Sequence, residues 1–177
     1  PNDSRPVVMF LGGSLGARQI NEVVAELRTS LRQTWRIVHQ SGNNGVPPHA
    51  DANYFGGPFF GEELPDLLAA ADVLVCRAGA STLWEGAALA KPMLLVPLVS
   101  GSRGDQVSNA EIFARAGGAK VFAEAEGLAR DLREELDGLA RDPGARARMG
   151  LRARSAIRLD ATGSIADITI KMAEESQ

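Results

Sequence analysis

Short apolar runs alternate with stretches of helical period along most of the chain. Val7–Leu11 is apolar at every position, the mark of a strand buried on both faces. Residues 17–33 follow, with Ile20, Val23, Val24, Leu27 and Leu31 at helical spacing. The same alternation predicts strands at 35–39, 54–55, 73–76, 93–97 and 120–122, and helices at 62–71, 81–90 and 106–116. Pro65 is tolerated in a first helical turn, and the glycine-bearing stretches 42–52 and 101–105 read as loops. Beyond 122 only helical pattern remains, over 126–141, 143–159 and 165–175, with Ala161-Thr162-Gly163 separating the last two. The middle one is rich in Ala and Arg, and its arginines are expected to face solvent. Strict β/α alternation argues for an α/β fold: a Rossmann-like, doubly wound parallel sheet of about six strands. Ligands of such sheets sit beyond the C-terminal strand ends, where the strand order switches.

Composition narrows the function classes. An apolar share of 45% and a charged share of 23% are ordinary for a globular chain of 177 residues. A net charge of −3 sets up no polyanion-attracting field, so nucleic acid is not an expected partner. The single cysteine, Cys76, lies in an apolar run with no intrachain disulfide partner, which fits a reducing compartment. No apolar stretch approaches membrane-spanning length and no secretory leader is visible. The opening Pro1-Asn2-Asp3-Ser4, without methionine, is what a cut inside a longer protein would leave.

Two strands run into glycine-containing loops that open helices: Gly12-Gly13-Ser14-Leu15-Gly16-Ala17 and Arg77-Ala78-Gly79-Ala80-Ser81-Thr82. Each can aim free backbone N–H groups and the positive end of a helix dipole at an anion. Two on one sheet edge suggest a diphosphate held from two sides. The first loop is neither a Gly-x-Gly-x-x-Gly fingerprint nor a P-loop; its structural alternative is a tight turn with Ser14 as helix N-cap. In the second, Ser81 and Thr82 can cap the helix. Glu85 follows about one turn later, where a carboxylate could accept two hydrogen bonds from a ribose diol or simply sit as a dipole-favoured acid.

Asp105-Gln106-x-x-Asn109 opens a further helix, with Gln106 and Asn109 on one face. These groups suit sugar hydroxyls; the alternative is an N-cap aspartate followed by surface amides. His39 ends a strand on the ligand edge, before Gln40-Ser41-Gly42, and reads first as structural, with a catalytic base as the alternative. His39 and His49 lack metal-ligand spacing, and no Asp-x-Asp motif is present. No metal or other cofactor is therefore expected, and helix N-termini would carry the charge of a departing diphosphate.

Five motifs occur together in one order: Gly12-Gly13-Ser14-x-Gly16-Ala17, His39-Gln40-Ser41-Gly42, Arg77-Ala78-Gly79-Ala80-x-Thr82-x-x-Glu85, Pro92-x-x-x-x-Pro97 and Arg103-Gly104-Asp105-Gln106-x-x-Asn109-Ala110. Over residues 6–175 the chain thereby resembles the MurG family of peptidoglycan N-acetylglucosaminyltransferases. The resemblance implies the C-terminal half of a GT-B glycosyltransferase, with UDP-N-acetylglucosamine as donor. The donor-binding residues it implies are Gly13, Ser14, Leu15, Gly16, Phe60, Gly79, Ala80, Ser81, Thr82, Leu83, Trp84, Glu85, Asp105, Gln106 and Asn109. Within that set, Ser14 would meet the diphosphate, the backbone of Ala80, Ser81 and Thr82 the α-phosphate, and Glu85 the ribose. Gln106, with Asp105 and Asn109, would read the sugar, and the segment around Phe59-Phe60 the uracil. Asp105 stands where some members carry a second Gln.

The resemblance also says what to expect elsewhere. The lipid I acceptor, the catalytic base and contact with the membrane surface belong to the family's N-terminal domain, so this chain should hold no catalytic residue. The family's uracil-contacting arginine would lie upstream of Pro1. The whole enzyme would be cytoplasmic, at the inner face of the bacterial plasma membrane. Residues 1–160 would form the sugar-nucleotide domain, and 161–177 a C-terminal helix packing back toward the N-terminal domain. The alternatives are another UDP-sugar enzyme of GT-B type, either a glycolipid glycosyltransferase or a UDP-N-acetylglucosamine epimerase, or a non-catalytic nucleotide-sugar-binding subunit that needs a partner chain.

Overall fold

The computed structural model describes residues 3–13, 16–43, 49–99 and 104–175. Their elements run β1 (Val7–Leu11), α1 (Arg18–Leu31), β2 (Arg36–Gln40), β3 (His49–Asp51), β4 (Tyr54–Gly57), α2 (Leu64–Ala70), β5 (Val73–Cys76), α3 (Ala80–Ala88), β6 (Met93–Leu95), α4 (Asp105–Arg115), β7 (Ala119–Val121), α5 (Leu128–Arg141), α6 (Pro143–Ser155) and α7 (Ala161–Glu175). The strands form one sheet in the order β3-β4-β2-β1-β5-β6-β7. β1 pairs parallel with β2 and β5, and the sheet continues parallel through β4 on one side and β6 and β7 on the other.

The continuous apolar runs have a direct cause. Successive strand side chains point to opposite faces, and both faces are covered. Val8 and Phe10 of β1, Val73 and Val75 of β5, and Leu94 of β6 join Ile20, Val24 and Leu27 of α1 and Leu132 and Leu136 of α5 in one core. The intervening Val7, Met9, Leu11, Leu74, Cys76, Met93 and Leu95 join Leu68 of α2, Leu83 of α3 and Phe113 of α4 in the other. Each such side chain, fully buried, contributes about 1.5–3 kcal/mol of transfer free energy, so the helix-period stripe of α1 and the apolar strands specify each other.

Several expectations need correction. The described residues give seven strands, not six, because His49–Asp51, expected to be loop, pairs antiparallel with β4 at the sheet edge. All three of its residues are exposed, so no hydrophobic pattern marks it. It is held by its ladder and by a turn in which Asp51 accepts from the Asn53 N–H at 2.8 Å. Ala161-Thr162-Gly163 does not break the last two helices; it forms the first turn of α7, and the break lies at 156–160. Nor do all the α6 arginines simply face water: Arg146 donates to the carbonyls of Leu139 and Ala140 at the end of α5, satisfying orphan helix-end acceptors. Among the described residues, no helix is long and apolar enough to cross a membrane.

Candidate functional site

From β1 the chain moves first to β2 on one side, and later returns to β5 on the other. The crevice between the loops after β1 and β5 is therefore the switch point of the sheet. A cleft of about 460 Å³ lies there, lined by Gly12, Gly13, Gly16, Arg77, Gly79, Thr82, Leu98 and Gln106 among others. A second concavity, about 440 Å³, lies between α1 and the segment leading into α5, but its walls carry Glu22, Glu26, Glu124 and Glu126. The carboxylates there disfavour a diphosphate, whereas the first cleft presents glycine backbone and the start of a helix.

The first wall of that cleft is the glycine loop. Gly13 and Gly16 have φ of +72° and +81°, a left-handed backbone that L side chains rarely adopt. Gly16 also lies so close to the chain after β2 that a Cβ there would stand 2.6 Å from the Ser41 carbonyl oxygen. The loop is further tied to that chain by the Gly12 N–H, which donates to the Gln40 carbonyl at 2.9 Å. His39-Gln40-Ser41-Gly42 is thus the floor on which the loop rests. All four residues are buried, and Ser41 and Gly42 donate onward to the carbonyls of Gly57 and Pro58.

The second wall is the start of α3. Gly79 is its N-cap, in extended conformation and with no side-chain cap. Ser81 and Thr82, expected as possible caps, instead occupy the first helical turn. The first N–H bonded back inside the helix is that of Leu83, to the Gly79 carbonyl at 3.1 Å, so those of Ala80, Ser81 and Thr82 have no carbonyl one turn behind them. With Gly79 and Thr82 on the cleft wall, the dipole's positive end is available there. Arg77, half-buried at the base, ion-pairs with Glu124. It also donates to the Val96 carbonyl at 2.9 Å and to Gln19 Oε1 at 2.7 Å. It ties the segments after β5, β6 and β7 to α1 and holds the cleft floor together.

The third wall is α4. Its N-cap is Gly104, not Asp105, which is the first helical residue. Gln106 and Asn109 are not plain surface amides: Gln106 Oε1 accepts from the Leu98 N–H at 3.0 Å, and Asn109 Nδ2 donates to the Ala78 carbonyl at 3.2 Å. Each commits one end to the backbone of a loop that shapes the cleft.

Other expected site residues fare differently. Ser14 and Leu15 lie outside the described residues, as does Arg103 of the fifth motif; the N-cap position of α1 is Ala17. Leu83 is a core residue, 1% exposed, with its N–H bonded to the Gly79 carbonyl. Phe60 is also buried, stacked on Phe55 at 5.3 Å between ring centroids, and its N–H donates to Gln40 Oε1 at 3.1 Å. The exposed ring of that segment is Phe59, at 58%. Trp84 and Glu85 are exposed on α3.

His39 is structural. Its Nδ1 and Nε2 lie 2.9 Å from Tyr54 Oη and Asn21 Oδ1, and burial, with the nearby Arg28 charge, pushes its pKa down to about 4. Asn21, Tyr54, Gln19 and Glu124 were missed by sequence reasoning. The available signal was a histidine closing an apolar strand, which demands polar partners wherever it is buried.

An open sheet with a helix terminus at its switch point is the geometry of a doubly wound nucleotide-binding fold, and the solved structures that share this chain's fold are glycosyltransferases of GT-B type. Residues 7–162 match the family described as "Glycosyltransferase family 28 C-terminal domain", and the chain belongs to that family. It is 39% identical over 145 residues to the UDP-N-acetylglucosamine--N-acetylmuramyl-(pentapeptide) pyrophosphoryl-undecaprenol N-acetylglucosamine transferase of Treponema denticola, covering 74% of this chain and 36% of that one. To the Geobacillus kaustophilus protein of the same name it is 42% identical over 123 residues, covering 68% and 34%. The crystal structure of Acinetobacter baumannii MurG superposes with a TM-score of 0.78 at 28% identity, over 97% of this chain and 51% of that one. The chain thus spans about a third of the length of the curated relatives it matches.

Proposed function

We propose that this chain is the donor-binding part of an inverting N-acetylglucosaminyltransferase of peptidoglycan synthesis, and that its cleft holds UDP-N-acetylglucosamine. The observation that carries the reading is the uncapped start of α3 facing the left-handed glycine loop across the switch-point cleft. The names of the relatives support the choice of sugar and reaction.

In this reading the α-phosphate sits on the N–H groups of Ala80, Ser81 and Thr82, Gly13 and Gly16 lie on the diphosphate side of the cleft, and Ser14 is assigned to the diphosphate. Glu85 accepts from the ribose diol. Gln106 and Asn109 meet sugar hydroxyls with the ends not bound to Leu98 and Ala78, beside Asp105. The uracil lies against Phe59 and the neighbouring backbone. The acceptor oxygen, the 4-hydroxyl of the muramoyl unit of lipid I, attacks C1 as the bond from C1 to the diphosphate oxygen breaks. The configuration at C1 inverts, UDP leaves, and the product is lipid II. The chain's contribution is to position C1 and to stabilise charge developing on the leaving diphosphate with dipoles already in place, without a metal ion. The acceptor site, the base and the contact with the inner face of the membrane are assigned to the rest of a longer protein. The exposed Ile165, Ile168, Ile170 and Met172 of α7 are assigned to packing against it.

Calorimetric titration of the 177-residue chain with UDP-N-acetylglucosamine tests the reading. Saturable one-site binding, unchanged by EDTA and weakened by Gln106→Ala, is expected, with no lipid II made by the chain alone. Absence of binding overturns it.

A further inference from the structure

The floor beneath the glycine loop is held by a directed hydrogen-bond chain. Asn21 Nδ2 donates to the Ser41 carbonyl at 2.9 Å, which fixes Asn21 Oδ1 toward His39. A carboxamide oxygen only accepts, so His39 Nε2 carries the hydrogen and Nδ1 accepts from the Tyr54 hydroxyl. The donors therefore run one way: Tyr54 to His39, His39 to Asn21, Asn21 to the Ser41 carbonyl. That carbonyl is the atom beneath Gly16. At the outer end Arg28 stacks over the Tyr54 ring, 4.0 Å from its centroid, while pairing with Asp51 at 3.1 Å. His39 itself is 1% exposed, and its lowered pKa keeps the imidazole neutral at pH 7.

We propose that Tyr54, His39 and Asn21 are positioning residues, a relay that holds the Ser41 carbonyl beneath Gly16 and so sets the affinity of the cleft for a nucleoside diphosphate. The inference rests on the donor-site reading above. None of the three is assigned a contact with the ligand.

Asn21→Asp removes the donor of the last link and sets a carboxylate beside His39, which favours the imidazolium, so Tyr54→Phe is the uncharged variant of the pair. A carboxylate still accepts from His39, but it cannot donate to the Ser41 carbonyl, and two oxygens then face each other. The test titrates UDP into the wild-type chain, Asn21→Asp, Tyr54→Phe and Leu139→Ala, the last a core truncation at the far end of α5. Nitrogen-15 NMR of the wild-type histidines accompanies it. The relay predicts a neutral His39 with its hydrogen on Nε2 at pH 7. It predicts about tenfold weaker UDP binding by Asn21→Asp and a few-fold loss in Tyr54→Phe, the scale of one buried hydrogen bond left unmade. Leu139→Ala, though less stable, should bind as wild type does.

Three results overturn the proposal. One is a hydrogen on His39 Nδ1, or a cationic ring, in the wild type, a readout that holds even if a variant fails to fold. Another is unchanged affinity in the folded relay variants. The third is an equal loss in Leu139→Ala, which would make the effect one of general stability. A wild-type chain that binds no UDP overturns the donor-site reading and the relay's role with it. The wild-type baseline tells that outcome apart from failure of the relay itself.

Discussion

Gly16→Ala measures how tightly the glycine loop is seated. The first cost is the backbone: φ is +81°, and an L residue in the left-handed region loses about 1–2 kcal/mol. The second is steric. The new Cβ would stand 2.6 Å from the Ser41 carbonyl oxygen, so loop or carbonyl must move. Moving the carbonyl breaks its 2.9 Å bond from Asn21, and an unsatisfied buried polar group costs about 1–3 kcal/mol. The total is about 2–5 kcal/mol. Gly13→Ala is the internal control: its φ is +72°, but a Cβ there meets nothing within 4 Å, so only the backbone cost of about 1–2 kcal/mol applies. Urea unfolding followed by tryptophan fluorescence, with the buried Trp35 as reporter, gives both values. Gly16→Ala should be the less stable of the two by about 1–3 kcal/mol. If the pair unfold within about 0.5 kcal/mol of each other, inside the usual range of a neutral surface change, the loop does not rest on Ser41 as described.

Other consequences follow from burial. His39, with a pKa near 4 against an ordinary 6.5, stays neutral when folded while the unfolded chain takes up a proton. Its contribution to stability is complete above pH 6.5 and lost as pH falls toward 4, about 3 kcal/mol in all. An NMR titration of its ring should give an apparent pKa near 4, and a value of 6 or more contradicts its burial. The Cys76 thiol is pushed up to about 12 by burial, so iodoacetamide should label it only in denaturant; labelling of the native chain at the rate of a free thiol would count against the two-sided sheet. Leu132→Ala, at the centre of the α1–α5 core, should cost about 2–5 kcal/mol with an unchanged urea m-value, and a loss under about 1 kcal/mol would mean that α5 is not packed there.

What the sequence disclosed follows the range of the forces involved. β1, β5 and β6 were legible because a strand covered on both faces must be apolar throughout, and α1 because one stripe must face the core. β3 was not, since an exposed edge strand has no burial pattern and exists only through its partner β4. The start of α7 was misplaced because Thr162 and Gly163 look like a break, while no packed face of that helix pulls the pattern into register. In the site, the glycine loops were visible as local chemistry. Their caps were misjudged because Gly79 leaves β5 in extended conformation and takes the N-cap itself. Leu83 and Phe60, expected in the site from their positions, have buried side chains. The relay through Asn21, His39 and Tyr54, and the clamp of Arg77 on Glu124 and Gln19, join residues far apart in the chain, which no local pattern can announce.

The cleft between Gly13, Gly16 and the start of α3 is the proposed seat of a nucleoside diphosphate sugar. Nitrogen-15 amide shift mapping of the wild-type chain during titration with UDP-N-acetylglucosamine tests it most directly. Saturable shifts are expected, concentrated at Gly13, Gly16, Ala80, Ser81, Thr82 and Glu85, with Gln106 responding to the sugar nucleotide and not to UDP alone. Shifts confined to the acidic groove beside Glu22 and Glu126, or none at saturating ligand, would contradict it.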